Sequence, residues 1–206
     1  MNKNIFIVKL LSAVLVVIAV ITFNSAVSIA SDKAQKFSEY ASSGNYFKCS
    51  IPKDWSVYSP GFGLSEEEKK VYGVTLMGPK SKSPISPLIA IHYYAPGNLL
   101  HKTMDVFIRR HSQSIFGIET EGKSYGNVQE IKIAGREAKT FERIDIRFIE
   151  ERIINPAKVP IYEKFITIPA GSGEGFYVLK LSVPVEIKDE YKGLFDVTVN
   201  SFSMEN

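Results

Sequence analysis

The apolar runs of this chain are separated by gaps too short to hold a crossover helix. VYGVTLM and PLIAIHYY are divided by GPKSKSPIS, VQEIKI and EAKTFERIDIRFI by an Ala-Gly-Arg turn, and VPIYEKFITIP and FYVLKLSVP by AGSGEG. Each run is dense in Val, Ile, Phe and Tyr and bounded by turn formers, which predicts a strand. Parallel strands need a connection of about a dozen residues or more, so strands joined this closely pair antiparallel. YFKCSI, halted at Pro52, predicts a first strand that Trp55 and Val57 extend after the Pro-Lys-Asp break.

Two stretches switch to the helical period. In KTMDVFIRRHSQSIFG, Met104, Phe107, Ile108, His111 and Ile115 recur at i, i+3, i+4, i+7 and i+11, one stripe of a helix with Thr103 as its N-cap and Gly117 as its stop. Near the end, Ile187, Tyr191, Leu194, Phe195, Thr198 and Phe202 form a second stripe over Glu186 to Ser201, despite Gly193 in its interior. Ser65-x-x-Glu68 has the form of a capping box, enough for about one turn. The order ββββ-α-ββββ-α gives an α+β class, with helices packed on an antiparallel sheet. Across EAKTFERIDIRFI, the face carrying Glu137, Lys139, Phe141, Arg143, Asp145 and Arg147 reads as solvated and of mixed charge, opposite Ile144, Ile146 and Phe148.

The first thirty residues stand apart. Lys3 and Lys9 precede an apolar run from Leu10 to Phe23, fourteen residues long, and AVSIA places Ser28 and Ala30 where a signal peptidase reads small side chains. Charged start, apolar middle and small-residue end predict a secretory signal cleaved after Ala30. A membrane span needs about twenty apolar residues, so an uncleaved signal, the one route by which this chain would stay on a membrane, is the second choice. The expected organisation is a cleaved signal at 1–30, a lead-in at 31–45 that is a short helix or loose, and one domain at 46–206. Removing Lys3 and Lys9 takes 25 basic residues to 23 against 22 acidic ones, a net charge of +1. So small a charge argues against an electrostatic grip on nucleic acid or on an anionic membrane surface. The single cysteine, Cys49, cannot form an internal disulfide and lies too far from the cut for a lipid anchor; its alternation with Phe47 and Ile51 predicts a half-buried, inert thiol.

Little in the sequence points to a reaction. GSGEG is followed by a β-rich run, lacks GxGxxG and Walker spacing, and its Glu174 would repel phosphate, so it predicts a hairpin bend. His92, His101 and His111 show no His-x-His or His-Glu-x-x-His spacing and read as satisfied core or surface side chains without a metal. Ser172 stands second rather than third in GSGEG, so the nucleophile elbow is missing. No catalytic residue and no cofactor is expected. Aromatic residues make up 12% of the chain, and several apolar side chains fall near expected loop tips: Phe62 and Leu64 in SPGFGL, Tyr93 and Tyr94 before APGNLL, and Leu99 and Leu100. They either cover the sheet ends or form a rim that recognises a partner.

Four stretches, taken in order, resemble the PsbP-like family. FKCSIPKDW is similar to its opening pattern of phenylalanine, isoleucine-proline and tryptophan, and VQEIKIAGREAKTF, GFYVLKLSVP and the terminal LFDVTVNSF follow, together spanning most of residues 46 to 202. The resemblance implies an α/β/α sandwich around a central antiparallel sheet, in a family that includes photosystem II extrinsic subunits, a Ran-binding Mog protein and exported bacterial proteins. It implies a non-catalytic accessory or protein-binding role, and it carries over no functional residue because the matches lie in the scaffold. The expected function is an exported, extracytoplasmic domain that binds a protein partner in the cell envelope. Two alternatives stay open: a carrier of a small apolar ligand or lipid held between sheet and helix, and a hydrolase whose site assembles in space.

Overall fold

Strand β10, Phe176–Pro184, shows why the main sheet is covered twice. Successive side chains point to opposite faces of a strand, and here both sets are apolar: Tyr177, Leu179, Leu181 and Val183 enter one core, Phe176 and Val178 another. A strand buried on both faces belongs inside a sheet with a layer on either side. The computed structural model describes residues 36–59, 63–114, 117–118, 120–149, 156–171 and 173–205. The expected signal and its cleavage point lie outside the described residues.

The remaining strands of this sheet are β3 (Ser56–Val57), β4 (Val71–Met77), β5 (Leu88–Tyr94), β6 (Ser124–Tyr125), β7 (Gln129–Ile133), β8 (Arg136–Ile149) and β9 (Ala157–Pro169). Their order is β3-β4-β5-β10-β9-β8-β6, with β7 pairing β8, and every pairing is antiparallel. The glycine-rich stretch is the β9–β10 bend: Phe176 faces Pro169, and the Ala170 amide donates to the Gly175 carbonyl at 3.0 Å. Gly171 and Gly173 there take φ of 112° and 151°, which side-chain-bearing residues rarely adopt. A second position also requires glycine: Gly73 in β4 has φ of 142°, and a Cβ would collide with the Ile91 carbonyl oxygen of β5.

A three-stranded sheet completes the architecture, with β2 (Phe47–Pro52) between β1 (Phe37–Ala41) and β11 (Ser203–Met204). Helix α3, Lys188–Asn200, packs between β2 and β10. Its Tyr191, Phe195, Thr198 and Val199 are buried, as the stripe predicts, and Gly193 meets nothing, so it creates no packing defect. The Ser201 hydroxyl fixes the helix end by donating to the Thr198 carbonyl at 3.0 Å and accepting from the Ser50 amide of β2 at 2.8 Å. On the opposite face lies α2, Met104–Ser112, capped by Thr103, whose hydroxyl accepts from the Val106 amide at 3.3 Å. The short α1, Glu66–Lys69, carries both halves of the Ser65–Glu68 capping box. Helix, antiparallel sheet and helix form an α+β, α/β/α arrangement, in which no described helix is long and apolar enough to cross a membrane.

Four expectations change. Phe37–Ala41, read as a short helix or loose lead-in, is β1, because its backbone finds a full register on β2 from Phe37↔Pro52 to Ala41↔Lys48. The middle of the β8 face read as solvated is covered by α2, which buries Phe141 to 1% exposure and draws in Arg143, while Glu137 and Arg147 at its ends stay exposed, as expected. Helix α2 ends at Ser112 rather than running to Gly117, since Gln113 turns extended and the Ser114 hydroxyl donates to the Ile118 carbonyl at 2.8 Å; Ile115 lies outside the described residues. Cys49 is fully rather than half buried, and burial pushes its thiol up to about 12, which leaves no thiolate near neutrality.

Candidate functional site

Three elements of unrelated sequence meet beneath α2. Alternation along β5 aims Ala90, His92 and Tyr94 at this helix, while Ile89, Ile91 and Tyr93 go to the opposite face. The following loop is held by buried Asn98, whose Oδ1 accepts from the His101 amide at 2.8 Å and the Leu100 amide at 3.2 Å, and whose Nδ2 donates to the Ala95 carbonyl at 3.1 Å. That turn tucks His101 inward to 9% exposure. The helix stripe then supplies Phe107 and His111. His101 and His111 have ring centroids 5.5 Å apart, and each packs on Phe107, at 4.8 and 4.4 Å.

These side chains line a cavity of about 250 Å³, to which all three histidines, Thr75, Lys180 and Phe165 contribute. Burial lowers the His92 imidazole to about 4, helped by Lys180 and Lys69. It lowers His111 to about 3, with Arg143, His101 and Lys180 adding to the effect and Glu163 opposing it. His101 is lowered by burial and by Arg110. All three rings are therefore neutral at pH 7. The expectation that they are satisfied needs correcting for two: the Nδ1 atoms of His101 and His111 are buried and find no hydrogen-bond partner among the described residues, an arrangement that ordinarily costs about 1–3 kcal/mol per group.

An ion triad borders the cavity. Glu163 of β9, 3% exposed, accepts from Arg143 Nε at 2.6 Å and from Lys180 Nζ at 3.1 Å. Burial alone would raise its carboxyl, but Lys180 and Arg143 outweigh that and hold it below the ordinary range. Arg143 and Lys180 also lie over the Phe165 ring, 5.3 and 5.7 Å from its centroid. The sequence did carry a signal for this triad: Lys180 is the one charge in FYVLKLSVP, a strand otherwise dense in apolar residues, where an unpaired charge could not persist.

The chemistry available is recognition through neutral imidazoles. Thr75 Oγ1 stands 3.5 Å from His92 Nε2, and among the described residues no carboxylate hydrogen-bonds any of the three rings, so a Ser/His/acid relay is not assembled here. Among the described residues no group of three or more His, Cys, Asp or Glu is arranged to hold a metal ion.

Next to the cavity runs a groove of about 450 Å³ along β4, and Thr75, His92 and Tyr94 line both spaces. Val57, Tyr58, Leu64 and Leu100 border it, and the Glu66 carboxylate closes part of the sheet edge by accepting from the Gly73 amide at 3.1 Å. The suspected rim residues divide accordingly. Leu64, Leu99 and Leu100 are 50%, 65% and 47% exposed. Tyr94 is not a loop tip but is buried in β5, stacked on Phe176 at 4.8 Å. Tyr93 is half-buried on the other face between Tyr46 and Tyr177, at 4.7 and 4.9 Å. Phe62 lies outside the described residues. Periodicity could not show that Val57 and Tyr58 join Leu64 and Leu100, because the loop between them has no period.

No family model and no curated protein sequence matches the chain. Solved structures similar to it include the yeast (Saccharomyces cerevisiae) Ran-binding protein Mog1p, with a TM-score of 0.49 and 9% identity over 83% of this chain and 96% of that one. The cyanobacterial PsbP (CyanoP) of Synechocystis gives a TM-score of 0.49 and 12% identity over 88% and 99%. A Bacteroides thetaiotaomicron protein gives 0.46 and 12% over 84% of this chain; the chain spans 49% of that protein's length. At 9% and 12% identity, these likenesses carry no functional residue to this chain.

Proposed function

We propose that this protein is an exported, non-catalytic binding module of the cell envelope whose protein partner lays an extended apolar segment in the groove along β4. The observation that carries the reading is the placement of exposed apolar side chains. Of ten large apolar side chains exposed among the described residues, Val57, Tyr58, Leu64 and Leu100 border this one groove and Leu99 adjoins it. Scattered singly such residues need no explanation, whereas a cluster beside a groove marks an interaction site. The groove lies beside the β4 edge, where β3 pairs over two residues, the Tyr58 amide donates to the Thr75 carbonyl at 2.8 Å and Glu66 accepts from the Gly73 amide, so a partner segment is held there through its apolar side chains.

In-cell cross-linking of the full chain in its native host, followed by mass spectrometry, tests this. A discrete protein conjugate is expected, and the double variant Leu64→Asp/Leu100→Asp should lose it while keeping the wild-type melting temperature. A conjugate that persists unchanged in the folded double variant would refute the groove. The same spectra check export: the mature protein should begin at Ser31, and peptides containing Lys3 would count against cleavage.

A further inference from the structure

We propose that the cavity beneath α2 is a binding site for a single-ring aromatic carboxylate. The inference does not depend on the protein-docking reading. It rests first on shape. The cavity, about 250 Å³, exceeds the ~150 Å³ that suffices for benzene in an apolar protein interior. It falls below the about 300 Å³ at which sites for larger ligands begin, so one ring with a small substituent fits and a lipid chain does not. Phe107 and Phe165 line the space from the helix side and the sheet side, and because Phe141 and His111 already stack on Phe165, an entering ring meets Phe165 edge-on.

The polar groups select the substituent. A neutral imidazole always carries one N–H donor, and three imidazoles line this space together with the Thr75 hydroxyl and the Lys180 ammonium. The charges acting on these rings are mainly positive: Lys69, Arg110, Arg143 and Lys180, opposed by Glu163. Glu163 is already engaged by two cations, of which Arg143 also stands 3.7 Å from Asp145, so Lys180, which lines the cavity, has only a shared carboxylate to balance it. An anion entering here meets a favourable potential and hydrogen-bond donors, while a cation would meet neither. His101, 9% exposed with an unpartnered Nδ1, indicates a polar lining whose hydrogen-bonding capacity the protein itself does not use. The adjoining groove, which shares Thr75, His92 and Tyr94, offers the way in.

The test exploits a peculiarity of this chain: it has three histidines, and all three line the cavity. In the mature protein without a histidine tag, the imidazole C–H signals in an NMR spectrum report on this space alone. Titration with benzoate at pH 7 should move all three signals saturably. Benzyl alcohol, its neutral counterpart, should bind about tenfold more weakly, the factor expected when a charge-assisted hydrogen bond replaces a neutral one. Ala90→Leu, which places a larger side chain in the cavity from β5, should abolish the benzoate shifts. Three unmoved signals, or shifts that survive in folded Ala90→Leu, would overturn the proposal, as would equal affinity for benzyl alcohol. Should Ala90→Leu fail to fold, the benzoate and benzyl alcohol titrations of the wild type still decide between these outcomes.

Discussion

On the α3 face of the large sheet, Leu179, Leu181 and Val183 of β10 meet Phe195, Val199 and Phe202 in an all-apolar set. On the α2 face, one residue out of phase along the same strand, Val178 and Lys180 meet Phe107, Phe165, His111 and Glu163. Backbone and strand order are shared, so the difference comes from side-chain chemistry and from the helix laid across each face. The α3 face closes tightly and anchors β2. The α2 face carries charge, neutral imidazoles and unfilled volume, features that cost stability and that a purely structural layer would not accumulate. An apolar core and a charged, partly unfilled layer thus lie on opposite sides of one sheet.

The largest test of that division is truncation on each face. Phe195→Ala should cost about 3–5 kcal/mol, because Phe195 is wholly buried in a filled core. Phe107→Ala should cost about 3 kcal/mol, the low end of the range, since a cavity already borders its ring and fewer contacts are lost. Chemical denaturation of both variants checks this, and equal losses would break the contrast. Next in size is Glu163→Gln, which leaves Arg143 and Lys180 half-buried without their carboxylate and should cost about 3 kcal/mol.

Acid should act on the α2 face before the other. His92 and His111 bind protons in the folded state at about 4 and about 3, against an ordinary 6.5. The unfolded chain therefore takes up more protons as pH drops below 6.5, and stability falls from there through the folded values. Glu163 works in the same direction, because its folded value is depressed below 4.5 and its contribution is lost as pH falls through it. Melting temperatures recorded between pH 7 and pH 4 should decline in the wild type and decline less steeply in His111→Leu. The smallest effect is expected at the helix start: Thr103→Ala removes the α2 cap and should cost about 1 kcal/mol by denaturation. Helix α3 has no side-chain cap to lose, its attachment coming from packing.

Much of this arrangement was legible in the residues. The density of β-formers in FYVLKLSVP, the Ser65–Glu68 capping box and the glycine bend each specify local geometry through neighbours in sequence, and each appears in the structure. The hidden parts depend on pairing at a distance. FSEYA has too few apolar residues to advertise a strand, yet forms one by backbone pairing with β2. Glu137 to Arg147 looks solvated until α2 is known to lie over its middle, after which Phe141 and Arg143 become interior. The histidines come from a strand, a loop and a helix, so no spacing rule could have joined them, and exposure was legible for Leu64, Leu99 and Leu100 but not for Tyr93 and Tyr94, which end β5 inside the sheet, paired on both sides by β4 and β10.

The placement of β2 between β1 and β11 has a bearing on timing. Residues 47–52 are zipped on one side by residues 37–41 and on the other by residues 203–204, while Phe202 closes over Phe47 at 5.6 Å. Joining β2 to β11 brings together parts of the chain that stand far apart, the Ser50 amide and the Ser201 hydroxyl being separated by 151 residues. Pairings of such separation must meet a large loop-closure entropy, so this small sheet closes later than the β9–β10 hairpin.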